Sequence, residues 1–222
     1  RGAIHDDKAV ELVEKLHYDF SLADKDAAMS SGVIARTIVL DHLVQDYLAA
    51  HSGAVVVNIA CGLDTRCYRM QGYTHWYNLD LPETINVRAR LLPESGAISQ
   101  IAQSAMEDWS GEIAEKNAPA LVIMEGLTMY LTQTDVQQIF AVAFAGFCVE
   151  DIVAVIVGVG VSAGVDAVVV CTAVAVGASI CVGFSSPHAA HVLSIAIHNS
   201  VQRLHLPTSF ICLPLFIADF ER

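Results

Sequence analysis

The sequence predicts an α/β protein: a doubly wound, mostly parallel sheet preceded by N-terminal helices. Three observations lead there. Apolar, β-branched runs recur between residues 55 and 124, polar or amphipathic stretches long enough for crossovers separate them, and the first fifty residues repeat apolar positions at helical spacing. Strands that are apolar throughout have both faces covered, as in a parallel sheet held between layers of helix.

The elements follow in order. Asp7 to Tyr18 places Val10, Val13, Leu16 and His17 on one side of a helix, and Glu11 with Lys15 makes an i,i+4 pair. Ile38 to Leu48 repeats apolar residues at three and four and stops near His51-Ser52-Gly53, where a glycine ends the helix. Strands are expected at Val55–Ile59, at His75–Leu79 leading into Asp80, at Ile98–Ala102 and at Ala120–Met124. Beyond Leu131, Thr134-Asp-Val-Gln137 has the Thr-x-x-Gln form of a capping box, and Val136, Ile139, Phe140, Ala143, Phe144 and Phe147 make an apolar stripe.

From Ile152 to Phe184 the chain is almost wholly Val, Ala, Gly, Ile, Ser and Cys, with Asp166 its single charge. The length would span a membrane, but Val and Gly are poor helix formers and Asp166 would lie within the apolar layer at real cost. Two buried strands with a tight connection are expected instead, although a frameshifted segment would show the same monotony. The 222 residues are read as one domain: an N-terminal helical cap over 1–52, a ligand-binding core over 53–148 and an atypical remainder of the sheet over 149–222. No site residue is placed beyond residue 150.

Composition excludes some partners. With 24 acidic against 12 basic residues and no Lys/Arg cluster, the chain lacks the footprint of a nucleic-acid binder. It opens on Arg1 rather than Met, as a trimmed product or fragment would, and its first residues show no signal peptide. Six cysteines, Cys61, Cys67, Cys148, Cys171, Cys181 and Cys212, form no CxxC pair and read as reduced thiols of a cytoplasmic protein. His188, His191 and His198 lack a further ligand motif, so no metal site is expected.

The chemistry concentrates at one junction, Val55 to Met70. The first strand runs into Ala60-Cys61-Gly62, and Asp80 closes the second strand eighteen residues after Gly62. Ligands of open α/β sheets bind at the carboxyl ends of the strands, where glycine turns let backbone approach them and an acidic residue accepts from ribose hydroxyls. An ordinary strand–turn–helix junction would show the same glycine. Ala60 stands where the dinucleotide fingerprint has its first glycine, and alanine suits the turn if its φ stays negative. Thr65 occupies the third small position, and Asp64 would repel a pyrophosphate. The junction therefore suits a nucleoside with a positive group and no phosphate, such as S-adenosylmethionine. A nicotinamide-dependent oxidoreductase remains an alternative, though it calls for a third glycine and a hydride-handling site.

Four stretches, Ile34-Ala-Arg-Thr-Ile-Val-Leu-Asp41, Asn58-Ile-Ala-Cys-Gly-Leu-Asp-Thr-Arg66, Leu79-Asp-Leu-Pro82 and Met124-Glu-Gly-Leu-Thr-Met-Tyr-Leu131, together resemble the leucine carboxyl methyltransferase family. The likeness is strongest to its bacterial polyketide O-methyltransferase-like branch. It implies a Rossmann-like class I fold, S-adenosylmethionine as cofactor with S-adenosylhomocysteine as product, and a small-molecule acceptor. By resemblance Arg36 holds the methionine carboxylate, and Gly62 lies along the ligand beside Ala60 and Asp64. Asp80 takes the ribose hydroxyls with Leu81 next to it, while Glu125 receives the ammonium and Gly126 permits close approach. Glu107, Asp108 and Trp109 stand at the adenine edge, with Trp109 as plain core an equal alternative. Tyr130 faces the methyl-transfer region or is a buried structural tyrosine. Arg66 and Arg69 are accounted for by ion pairs to Asp41 or Asp80. A carboxyl acceptor needs no base and a hydroxyl acceptor does. No base is assigned, and a binding module without turnover is the other reading.

Overall fold

The computed structural model describes residues 4–21, 27–147, 151–162, 165–176 and 179–184, with 27–31 and the last three ranges as backbone only. The described residues include five α-helices: α1 (Asp7–Lys15), α2 (Ala27–Ala50), α3 (Arg66–Arg69), α4 (Pro82–Leu91) and α5 (Gln133–Ala145). The strands are β1 (Val55–Ile59), β2 (His75–Asp80), β3 (Ile98–Ala102), β4 (Ala120–Glu125), β5 (Asp151–Ser162), β6 (Val165–Val176) and β7 (Ser179–Phe184). They form one sheet in the order β3-β2-β1-β4-β5-β6-β7. The first five run parallel, while β6 and β7 pair antiparallel.

Side chains in β1 alternate between two cores, as a strand's two-residue period requires. Val55, Val57 and Ile59 join Leu79, Val122 and Met124 under α5, whose Val136, Ile139, Phe140 and Ala143 cover that face. Val56 points the other way, with Trp76, Leu121 and Ile123, beneath Leu40, Val44, Tyr47 and Leu48 of α2. Both faces of the central strands are therefore dry, and the doubly wound arrangement read from the apolar runs holds. The chain reverses between β1 and β4, which lie side by side although β2 and β3 intervene in sequence. Their carboxyl ends diverge there, the usual place for a ligand in an open α/β sheet.

Local structure departs from the sequence reading in several places. In α1 the buried residue is Leu12, while Val10 and Val13 face solvent. The helix stops at Lys15, whose ammonium pairs with Glu11 as expected. Asp6 caps it by accepting from the Ala9 amide at 2.9 Å. The capping box of α5 is built two residues earlier than Thr134. Thr132 accepts from the Asp135 amide, and the Asp135 carboxylate accepts from the Thr132 amide at 2.9 Å. The Thr-x-x-Gln spelling was a register error, because Asp at the third position serves the box as well as Gln. The apolar stretch after residue 151 forms three strands, β5 to β7, rather than two. His188, His191, His198 and Cys212 lie outside the described residues. Among those described, no helix is long and apolar enough to cross a membrane, and no His/Cys/Asp/Glu group of metal-binding form occurs.

The cap assignment is open to a direct check. Thr132→Ala is expected to lower stability by about 1 kcal/mol in urea unfolding. Thr134→Ala should leave the midpoint unchanged, and equal effects of the two would restore the later register.

Candidate functional site

The site begins with backbone. β1 leads into Ala60 at φ 54 and Gly62 at φ 47, both left-handed. Glycine adopts this region freely, but alanine does so only against strain. The expectation that Ala60 would keep a negative φ is therefore overturned: the chain must reverse within two residues, and the surrounding contacts hold Ala60 there. A Cβ at Gly62 or at Gly126 (φ +69) would meet nothing within 4 Å, so open space adjoins both turns. Neither turn needs glycine for lack of room, and each leaves its backbone accessible.

Asp80 ends β2 and faces the same turn. Its Oδ2 accepts from the Gly62 amide at 2.8 Å and its Oδ1 from the Leu81 amide at 2.8 Å. Each oxygen keeps a lone pair for a further donor. Leu81 itself, the cap residue of α4, is 52% exposed. Among the described residues Asp80 pairs with no arginine, so the alternative that Arg66 or Arg69 bridges to it falls away and Asp41 is the partner of both.

Arg66 is the centre of the charged part, with its side chain 3% exposed. Its Nε donates to Asp41 Oδ1 on α2 at 2.7 Å, and its Nη1 donates to Asp64 Oδ2 and to Glu125 Oε2, each at 2.7 Å. Burial works against its charge, but the Asp64, Glu125 and Asp41 carboxylates outweigh that and push its pKa above the ordinary value. From Glu125 the network continues to Arg36 of α2, whose Nε donates to Glu125 Oε1 at 2.6 Å. From Asp41 it continues to Arg69, which donates to Asp41 through Nε (3.0 Å) and Nη2 (2.9 Å) and to Asp6 Oδ2 through Nη1 (2.8 Å). Asp64 is fixed further by Asn58, a polar residue buried inside β1, whose Nδ2 donates to it at 2.9 Å. Three guanidiniums meet four carboxylates, an excess of one negative charge. A cavity of about 250 Å³ opens beside them, lined by Asp6, Thr37, Asp64, Thr65, Arg66, Arg69 and Glu125.

The remaining candidates are dispersed. Glu107 and Asp108 sit in an exposed loop after β3, tethered where the Gln103 amide donates to the Asp80 carbonyl at 3.0 Å. The Ser110 hydrogen bonds hold the Asp108 carboxyl below its usual range. Trp109 is fully enclosed in the core under α5, with Nε1 donating to the Ala105 carbonyl at 3.3 Å, so its ring belongs to the packing. Tyr130 is 80% exposed on a single 3₁₀ turn, which excludes the buried structural role. Burial pushes the Cys61 thiol up to about 12 and raises Cys67 as well, in keeping with inert free thiols. Asp6 and Asn58 were not singled out from the sequence, and Thr65 was read only as a position in the turn. Asn58 had a signal, being the polar residue in an apolar strand, whereas Asp6 meets its partners 59 and 63 residues away and had none.

The parallel strand order and a candidate site at the carboxyl ends of β1, β2 and β4 define a Rossmann-like α/β protein. The chain belongs to the leucine carboxyl methyltransferase family, whose sequence model matches residues 2–144. It is 40% identical over 141 residues to the tetracenomycin polyketide synthesis O-methyltransferase TcmP of Streptomyces glaucescens, covering 61% of this chain and 51% of that protein. It is 29% identical over 150 residues to the S-adenosyl-L-methionine-dependent methyltransferase dpfgK of Gibberella zeae, covering 60% and 50%. Among solved structures, the Burkholderia thailandensis 1,6-didemethyltoxoflavin-N1-methyltransferase is similar at 14% identity with a TM-score of 0.46, covering 87% of this chain and 79% of that one. The chain spans about half the length of the curated relatives it matches. The oxidoreductase alternative calls for a third glycine, and α3 is a single turn with Thr65 at that position, where its side chain makes no capping hydrogen bond.

Two outcomes test this geometry. Arg66→Met takes from Asp64 its arginine and from Asp41 and Glu125 one of two each, and is expected to cost about 3 kcal/mol in urea unfolding, because breaking a buried pair strands its partner. Ala60→Gly relieves left-handed strain of about 1–2 kcal/mol, less the entropy glycine loses on folding. A net gain of roughly 0.5–1 kcal/mol should appear as a higher Tm.

Proposed function

We propose that the protein binds S-adenosylmethionine in this pocket and transfers its methyl group to an oxygen, carboxyl or hydroxyl, of a small molecule. The observation that carries the reading is Asp80, held by the Gly62 and Leu81 amides with lone pairs to spare beside open space at the turn. Such a carboxylate suits a ribose diol. The pocket's excess carboxylate favours a ligand of net positive charge, as one with sulfonium, ammonium and a single carboxylate is. Asp64 and the one-turn α3 disfavour a pyrophosphate at the same loop.

In this reading Arg36 and Glu125, paired with each other at 2.6 Å, exchange that contact for the ligand's own zwitterion. The guanidinium takes the carboxylate and Glu125 takes the ammonium. Arg66 keeps its hold on the other Glu125 oxygen, so the carboxylate stays aimed as the pair opens. Asp64, Ala60, Gly62 and Gly126 border the methionine end, and Glu107 and Asp108 accept from the adenine amino group. The cofactor, when bound, supplies an electrophilic methyl. The chain's part is to align the acceptor in line with it and to exclude water. A carboxylate acceptor needs no proton removed, and no base is assigned for a hydroxyl. Tyr130, exposed near the end of β4, remains the candidate for contact with the acceptor. Similarity to TcmP supports oxygen as the acceptor atom. The acidic balance supports a small molecule rather than nucleic acid, and free buried thiols support a cytoplasmic setting for one methyltransferase domain.

Calorimetric titration with S-adenosylhomocysteine tests the reading. The wild type is expected to bind at micromolar concentration. Asp80→Ala and Arg36→Ala should each weaken binding roughly 10- to 100-fold, the worth of a charge-assisted hydrogen bond. No heat with the wild type would overturn the proposal. Binding without transfer to any acceptor in a labelled-methyl screen would favour a module without turnover.

A further inference from the structure

Arg88 has no part in the chemistry above, yet it is completely buried. It stands on α4, eight residues past Asp80. No carboxylate among the described residues lies within ion-pair reach of it, and its Nε has no partner. Nη1 donates to the Gly62 carbonyl at 2.9 Å and Nη2 to Cys67 Sγ at 3.6 Å. Asn78 Nδ2 also donates to Cys67 Sγ at 3.7 Å, and Trp76 Nε1 donates to Asn78 Oδ1 at 3.1 Å. The guanidinium is thus surrounded by neutral groups. A buried charge without a counter-ion is among the costliest arrangements a core can hold, and an apolar side chain would fill the space at less cost.

We propose that Arg88 is a positioning residue for the nucleoside end of the site, an inference that rests on the S-adenosylmethionine reading. Gly62 is left-handed and, with Ala60 before it, belongs to a turn that has other conformations within reach. Its two flanking peptides are pinned from opposite sides: the amide by Asp80 at 2.8 Å and the carbonyl by Arg88 at 2.9 Å. Holding both fixes φ and ψ of Gly62 together. The amide then stays on Asp80 Oδ2, and the remaining lone pairs of Asp80 stay directed at the ribose hydroxyls. Both clamping residues come from the β2–α4 unit, so the loop is registered against one rigid element.

The test is a double-variant cycle read by S-adenosylhomocysteine titration and thermal unfolding, using wild type, Arg88→Met, Arg88→Lys, Asp80→Asn and both double variants. Arg88→Met is expected to weaken binding roughly ten-fold and Arg88→Lys roughly three-fold, with both effects shrinking in the Asp80→Asn background because the two residues act through one glycine. An arginine that only supports the core would lower Tm and leave Kd of the folded protein unchanged, or its effect would add to that of Asp80→Asn. Either result overturns the inference while the cofactor reading stands. Should Arg88→Met fail to fold, the Arg88→Lys cycle decides the same question. Absence of binding by the wild type would overturn the cofactor reading, and the clamp with it.

Discussion

Arg66 is the interaction on which the rest of the site depends. One guanidinium, almost without access to solvent, binds a carboxylate from α2, one from the loop after β1 and one from the end of β4. These elements are distant in sequence, and the rigid fork of arginine suits such a junction where the single point charge of lysine would not. Burial of the charge is expensive, so the three carboxylates are required by the arginine as much as it is by them. Without Arg66, Asp64 loses its arginine, while Glu125 keeps only Arg36 and Asp41 only Arg69. The consequence is a pocket whose acidic and basic groups have set directions before a ligand arrives, which lowers the ordering cost of binding one.

The alternating order Arg36, Glu125, Arg66, Asp41, Arg69, Asp6 also joins the N-terminal helices to the sheet. α1 buries only Leu12, and its attachment near the site comes through Asp6, which caps the helix with one oxygen and accepts from Thr65 and Arg69 with the other. A carboxylate that caps a helix and ends an ion-pair chain links helix formation to the integrity of the pocket. The turn after β1 is organised differently, by backbone conformation. Ala60 and Gly62 accept left-handed geometry so that amides meet Asp80, and Arg88 supports the turn from within the core.

Sequence reading and structure agree where a single element decides the outcome. β1 to β4 fall on the apolar runs because a strand covered on both faces is built mainly of apolar residues, and α2 ends before Gly53, at φ 81, because a left-handed residue stops a helix. They part where two solutions have the same spelling. A capping box reads equally well from Thr132 or Thr134, and only the helix's docking selects one. Trp109 beside two acids reads as a ligand edge or as core, and enclosure under α5 makes it core. Tyr130 is neither buried nor enclosed, which no local pattern separates from its alternatives.

Taken alone, the sequence determined the class of fold, the positions of the four central strands and the junction at Val55–Met70, because hydrophobic period and turn chemistry act over a few neighbouring residues. It also marked Arg36, Gly62, Asp64, Asp80 and Glu125, whose residue types and motif order are local. Tertiary structure alone decided which charges meet. Arg66 takes partners 2, 25 and 59 residues away, Arg69 reaches Asp6 across 63, and Arg88 settles under Gly62 across 26. Such pairings depend on how strands and helices stack. Spacing along a chain carries no record of distance once the chain has crossed the sheet.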